Sequence, residues 1–329
     1  MAEQPKFTYG GQAVIEGVMI RGRDHYSLAV RRQDGNITHI HEPLNTLFTG
    51  GIRRIPLVRG ILILIETLML GVTALHQSAS MAVADQASEG EKDMPGWVLG
   101  LTLGVSLTIG IAVFFVLPLL LVWLFELATT SEGETAPYLI SNVIEGGLRL
   151  AILVGYIWVI GFMKDIKRVF AYHGAEHMAV HAYEAGLPLT VENVRKFGTP
   201  HPRCGTAFLL TVVLVSIIVF AFLNIPDLQW RILSRVVLIP AIAAISYEII
   251  RFSGMHQTWL LADLLAKPGL WLQRLTTRQP ENDQIEVAIT AMEAAVAADE
   301  GREFQPLFGP QAAGAPEGLP EQAATETPD

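Results

Sequence analysis

Apolar residues in this chain gather into long runs, and polar residues collect between them. Positions 97–125 and 205–226 contain no charged residue, 146–163 is broken only by Arg149, and 232–250 only by Arg235 and Glu248. A helix crossing the hydrocarbon core needs roughly 20 apolar residues. The four runs therefore predict four spans, because a buried helix of a soluble domain could imitate one such run but hardly four. A fifth run, 57–75, holds Arg59 and Glu66, seven residues apart and on one helical face. It predicts an interfacial or re-entrant helix, with an additional transmembrane helix as the alternative.

Before these runs the pattern changes. "GGQAVIEGVMIRG" sets Gly10, Gly11, Gly17 and Gly22 around short apolar stretches, and "YSLAVRR", "QDGN" and "ITHIHE" follow it. This predicts strands joined by tight turns, with a hairpin at Asp34–Gly35. Beyond the last run come an interfacial stretch, a turn at Pro280 and an amphipathic helix. From 304 onward Pro, Ala, Gly and Glu dominate, which predicts disorder. The expected fold is an α-helical polytopic membrane protein with a small N-terminal β-rich cytoplasmic lobe. Its divisions are 1–56 (lobe), 57–75, the first pair of spans at 97–163, a cytoplasmic segment at 164–204, the second pair at 205–250, C-terminal helices at 251–303 and a tail at 304–329.

Charge sets the expected orientation. Nine Lys or Arg residues precede Trp97 and six lie in 164–204, whereas the connection 126–142 has none and carries Glu126, Glu132 and Glu134. By the positive-inside rule both basic regions are cytoplasmic if 57–75 does not span, which places both termini inside the plasma membrane. Arg231 and Arg235 then fall outside, a small dissent. Composition agrees with a membrane chain: 51% hydrophobic and 17% charged residues. The net charge of −9 sits largely in the termini and argues against nucleic acid as a partner. One cysteine, Cys204, excludes a disulfide framework and any multi-cysteine zinc module.

The chemistry concentrates in 164–204. "YHGAEH" has an H-x-x-E-H spacing, so His173 and His177 lie one helical turn apart on one face, able to share an ion. Glu176 lies beside them as a general base for water, the arrangement of inverted zinc-protease motifs. His181 extends the stripe by a turn. "HPRCGT" adds His201 and Cys204 just before a span, returning the chain to the same membrane face. Imidazole and thiolate suit a divalent metal, zinc above all. Plainer readings are a histidine-rich solvated helix and a small cysteine packed at a helix start; a rival functional reading makes Cys204 a nucleophile. Charged residues inside the runs, Glu145 with Arg149 and Glu248 with Arg251, read as snorkelling, mutually neutralising pairs. Glu248 is also a candidate carboxylate or outer partner for the metal site.

"GGQAVIEGVMIRG", "YHGAEH", "HPRCGT" and "TTRQP" followed by "EVAI" resemble, in that order, the YqhQ-like family of bacterial membrane proteins, over about 9–292. That family carries the label of a predicted metal-dependent enzyme. The resemblance implies that His173, Glu176, His177, His201 and Cys204 act as a unit, and it implies no substrate. The expected function is metal-dependent hydrolysis at the bilayer surface, of membrane peptides or lipid-linked substrates. The rivals are a scaffold with a structural metal and a small-solute transporter. Apart from the bilayer and the substrate, the remaining expected partner is a second copy of the chain.

Overall fold

A computed structural model describes residues 8–45, 55–83, 96–129, 138–225, 227–256 and 258–308. The N-terminal segment forms an antiparallel meander of four strands: β1 (Gly10–Val14), β2 (Gly17–Arg21), β3 (His25–Arg31) and β4 (Ile37–Pro43), in the spatial order β1-β2-β3-β4. The expected hairpin lies between β3 and β4. Asp34 accepts the Asn36 N–H at 2.8 Å, and Gly35 takes φ 88°, a conformation with no Cβ clash only for glycine.

Alternation along the strands gives the sheet two apolar faces. Val18, Ile20 and Ala29 meet Tyr172, Ala175, Met178 and Ala179 of α5 (Lys164–Glu184) and Ile285, Ile289 and Met292 of α11 (Asn282–Glu300). Val14, Met19, Leu28 and Val30 meet Ala74 of α1 (Val58–Val83), with Leu70 and Met81 beside it. The lobe is thus a three-layer sandwich, completed by chain far from the strands in sequence. An amphipathic helix was expected near the C-terminus, but α11 is buried around most of its circumference. Its alanines let it lie close to both sheet and α5. A capping box, Glu281 with Gln284, opens it, and Gly301 at φ 66° closes it.

The remaining helices are α2 (Gly96–Ile111), α3 (Leu117–Thr129), α4 (Tyr138–Ile160), α7 (Gly205–Ala221), α8 (Leu228–Val237), α9 (Ile239–Met255) and α10 (Leu260–Thr276), of which α8 and α10 are amphipathic; a short α6 (Val191–Val194) precedes α7. A π turn, Ala112–Val116, joins α2 to α3. Among the described residues, three helices are long and apolar enough to cross a membrane: Val58–Met81, Gly100–Ala128 and Tyr138–Ile160. A fourth is reached if α8 and α9, bent by 44°, count as one span. Pro240 at the start of α9 accounts for the bend, since it offers no N–H to continue the ladder. The run expected to span 205–226 is helical only to Ala221.

The run at 57–75 is part of one continuous helix that serves both regions. At its start Gly60 packs directly on Ala244 of α9, and Arg59 pairs with Glu248. Further along, Glu66 accepts from Arg21 of β2 at 2.9 Å, and Ala74 closes the sheet. The buried charges also depart from the sequence reading. Glu145 and Arg149 are paired but do not snorkel: their side chains are 1% and 0% exposed, and Arg235 joins them. Positions 309–329 of the tail lie outside the described residues.

Candidate metal centre

The site lies where α5 leaves the membrane helices and enters the lobe. Helical spacing stacks His173 and His177, with ring centroids 4.4 Å apart. His173 Nδ1 lies 2.8 Å from the Thr276 carbonyl, and His177 Nδ1 lies 2.5 Å from the Thr199 carbonyl. A carbonyl oxygen can only accept, so both rings carry a proton on Nδ1, and in the neutral imidazole that leaves Nε2 as the acceptor. This is how metal-binding histidines are oriented by their surroundings.

Cys204 caps the start of α7, with its sulfur accepting from the Thr206 N–H. The cap turns Sγ toward α5, 3.1 Å from His173 Nε2. The donor atoms of His173, His177 and Cys204 all lie within 4.8 Å of one another, near the roughly 3.3–3.8 Å of a tetrahedral N/S site.

Glu176 is buried. Its Oε1 accepts from the Gly11 N–H at 3.0 Å, and its Oε2 lies 3.4 Å from His177 Nε2. With His177 neutral and its proton given to Thr199, an ionised Glu176 would set two acceptor atoms against each other in a buried place. Such a pair needs a proton or a cation between them. Burial pushes the Glu176 carboxyl up to about 7, against the opposing influence of His173 and the Gly11 N–H. The donor set therefore fits a divalent ion in its tautomers, spacing and charge.

The structure divides the expected ligands. His201 does not join His173, His177 and Cys204. It belongs to a second set with His181 and Glu184, whose donor atoms also lie within 4.8 Å of one another. His201 is held through its backbone, with N–H to Gln273 Oε1 at 2.7 Å and carbonyl to Gln273 Nε2 at 2.8 Å. Its Nδ1 accepts from the Arg203 N–H at 3.3 Å, so Nε2 carries the proton and faces Glu184 Oε2 at 3.6 Å. Burial pushes the His201 pKa down to about 4. Glu184 is held below the usual carboxylate range: burial would raise it, but His201 and the Arg203 guanidinium outweigh that. His181 donates from Nε2 to the Pro200 carbonyl at 2.9 Å. Glu248 lies in neither set, its carboxylate being taken by Arg59 and the Leu57 N–H.

Residues missed by the sequence reading hold the site in place: Gly11, Thr199, Gln273 and Thr276, most of them through backbone atoms. Gly174, inside "YHGAEH", is another. A Cβ there would drive into the Arg278 carbonyl, so glycine lets the 276–278 connection lie against α5. The signal that could have found them is the motif set itself. Gly11 comes from "GGQAVIEGVMIRG", Cys204 and Thr206 from "HPRCGT", and Thr276 and Arg278 from "TTRQP", and all meet around "YHGAEH".

Residues 55–298 match a family model described as "Protein of unknown function (DUF1385)". The chain is also 38% identical over 299 residues to "Uncharacterized protein YqhQ" of Bacillus subtilis (strain 168), covering 85% of this chain and 90% of that protein. No solved structure matches. With the family model and a nearly full-length relative in agreement, the chain belongs to the DUF1385 family of YqhQ-like bacterial proteins.

Proposed function

We propose that this protein is a metal-dependent hydrolase whose site opens at the cytoplasmic face of the plasma membrane. His173, His177 and Cys204 hold the ion, and zinc is the metal that two imidazoles and a thiolate suit best. Three protein donors leave a position open, the arrangement typical of catalytic rather than structural zinc sites. When bound, the ion supplies Lewis acidity to the substrate oxygen and to water. The residues do the rest. Thr276 and Thr199 hold both imidazoles by their Nδ1 protons, Gly11 fixes one oxygen of Glu176, and the other oxygen takes the proton of the attacking water. The single observation that carries this reading is the convergence of the His173, His177 and Cys204 donor atoms within 4.8 Å of one another, beside the buried Glu176 carboxyl.

The substrate is a membrane peptide or a lipid-linked molecule, because the site stands at the junction of lobe and apolar helices. The orientation rests on the Lys and Arg excess before position 97 and in 164–204. Docking of Ala74 and Glu66 against the sheet supports α1 as a helix that enters the membrane region without crossing it. Reporter fusions to either terminus and to the 126–142 connection test this: a periplasmic signal from a terminus would reverse it.

A non-catalytic scaffold is the second reading, favoured by the Gly11–Glu176 bond, which fastens the lobe's first strand to α5. Glu176→Gln separates the two, since glutamine keeps an acceptor for Gly11 but cannot serve as base. Metal analysis and hydrolysis of a peptide and a lipid-linked substrate library should show bound zinc with lost turnover. Full function in that variant would leave the scaffold reading standing, and a metal content unchanged in His173→Ala and His177→Ala would remove the centre altogether.

A further inference from the structure

Among the described residues, the buried charges between α3, α4, α7 and α8 do not sum to zero. Glu145 accepts from Arg149 at 2.6 Å and from Arg235 at 2.7 Å, so one carboxylate serves two guanidinium groups that stay charged. Part of the excess is taken up by the Phe220 ring, whose centroid lies 4.3 Å from Arg235, and by the Phe114 carbonyl, which accepts from Arg149. One turn before Arg235, on the same face of α8, Arg231 adds a third cation and is only 5% exposed. Its Nη1 stands 3.8 Å from Glu126, beyond hydrogen-bond reach, and its Nη2 is buried with no hydrogen-bond partner among the described residues. Among the described residues these three buried arginines meet only Glu145 and the partly exposed Glu126, Asp227 at the start of α8 being exposed, and the buried surplus of positive charge is costly in apolar surroundings unless an anion meets it.

The position of this surplus indicates which anion. Asn142 donates to the Leu223 carbonyl, just past the end of α7, whereas Cys204 caps the start of that helix. A helix of 17 residues is about 26 Å long, close to the roughly 30 Å of a hydrocarbon core. The arginines thus stand about one membrane thickness from the metal-type site. The outward side of α8 is apolar, with Leu233 and Val237 exposed and Trp230 beside Arg231. Tryptophan settles at the membrane–water boundary, the level of lipid headgroups. A guanidinium with free N–H groups at that level matches a phosphate oxygen pair.

We propose that Arg231, reinforced by the unbalanced Arg149–Glu145–Arg235 cluster, binds a phosphate group at the end of the helices opposite the His–Cys site, and that an anionic lipid headgroup carries it. The test is the thermal unfolding midpoint of the full chain purified in detergent, titrated with phosphatidylglycerol, phosphatidylcholine or inorganic phosphate. Phosphatidylglycerol should raise the midpoint; Arg231→Gln should need about tenfold more of it, and Arg231→Lys an intermediate amount. A rise with inorganic phosphate alone, equally dependent on Arg231, keeps the site and assigns it to a soluble phosphate. An equal response of wild type and Arg231→Gln to both anions overturns the proposal, and so does a response to phosphatidylcholine as large as that to phosphatidylglycerol.

Discussion

Two polar clusters are buried at opposite ends of α7, and they are completed to different degrees. In the Glu145–Arg149–Arg235 cluster donors meet acceptors: Asn142, Ser216 and the Phe114 carbonyl fill the positions that Glu145 leaves. At the His–Cys end the match is left open, because the Cys204 thiol and the Glu176 carboxyl can each face an imidazole with or without a proton. His173 and His177 have given their protons to backbone carbonyls, and their lone pairs face Cys204 and Glu176. The first arrangement ties helices together through hydrogen bonds, although one carboxylate there serves two guanidinium groups. The second is complete only with a proton or a cation in it. The contrast separates a cluster that favours an anion from one that favours a cation more sharply than burial does, since both are buried.

Each side of this contrast can be broken. Glu176→Gln should lower hydrolysis by about 10²–10⁴-fold, the usual worth of a general base, while bound metal stays unchanged. Glu145→Ala should destabilise by about 3–5 kcal/mol, because two buried guanidinium groups lose their shared carboxylate. Replacing Glu145, Arg149 and Arg235 together by Leu, Met and Met should recover much of that loss, and detergent-resistant thermal unfolding reads both.

The pH response sharpens the comparison. With its pKa raised to about 7, Glu176 binds a proton in the folded metal-free lobe that the unfolded chain releases near its ordinary value of 4.5. That stability is fully present below 4.5 and is lost as pH rises through 7, at most about 3 kcal/mol. Unfolding of chelator-treated protein between pH 5 and 8 should show this slope, and Glu176→Gln should flatten it. A smaller effect is expected of Gly174→Ala, where the new Cβ pushes the 276–278 connection outward. Metal affinity should fall about tenfold and lobe stability by about 1–2 kcal/mol, read by metal titration and melting.

Much of the membrane portion and half of the site were legible in the sequence. Of the two charge-free runs, 97–125 reappears in Gly100–Ala128, which with Tyr138–Ile160 is among the helices able to cross a membrane, whereas 205–226 gives only the shorter apolar helix Gly205–Ala221. His173 and His177 were legible because a helix brings i and i+4 together whatever surrounds it. His201 illustrates the opposite case. Three residues from Cys204 in an irregular segment, its direction depends on Gln273, 72 positions away, which holds its backbone in a second set. Glu248 was a candidate for the metal until Arg59, 189 positions away, claimed it. The Glu145–Arg149 pair was read by its spacing, but its burial came from Arg235, supplied by another helix.

By itself the sequence determined periodic and local things: which segments are apolar enough for a bilayer, where the strands turn, and which histidines share a helical face. Short-range geometry and the cost of exposing apolar surface are enough for these. Only the tertiary structure decided that α11 lies inside the lobe, that α1 belongs to lobe and membrane helices alike, and that Glu176 and His177 face each other at 3.4 Å in a buried place. Those outcomes depend on which carbonyl, amide or guanidinium arrives from a distant segment, and the pattern along the chain carries no record of that arrival.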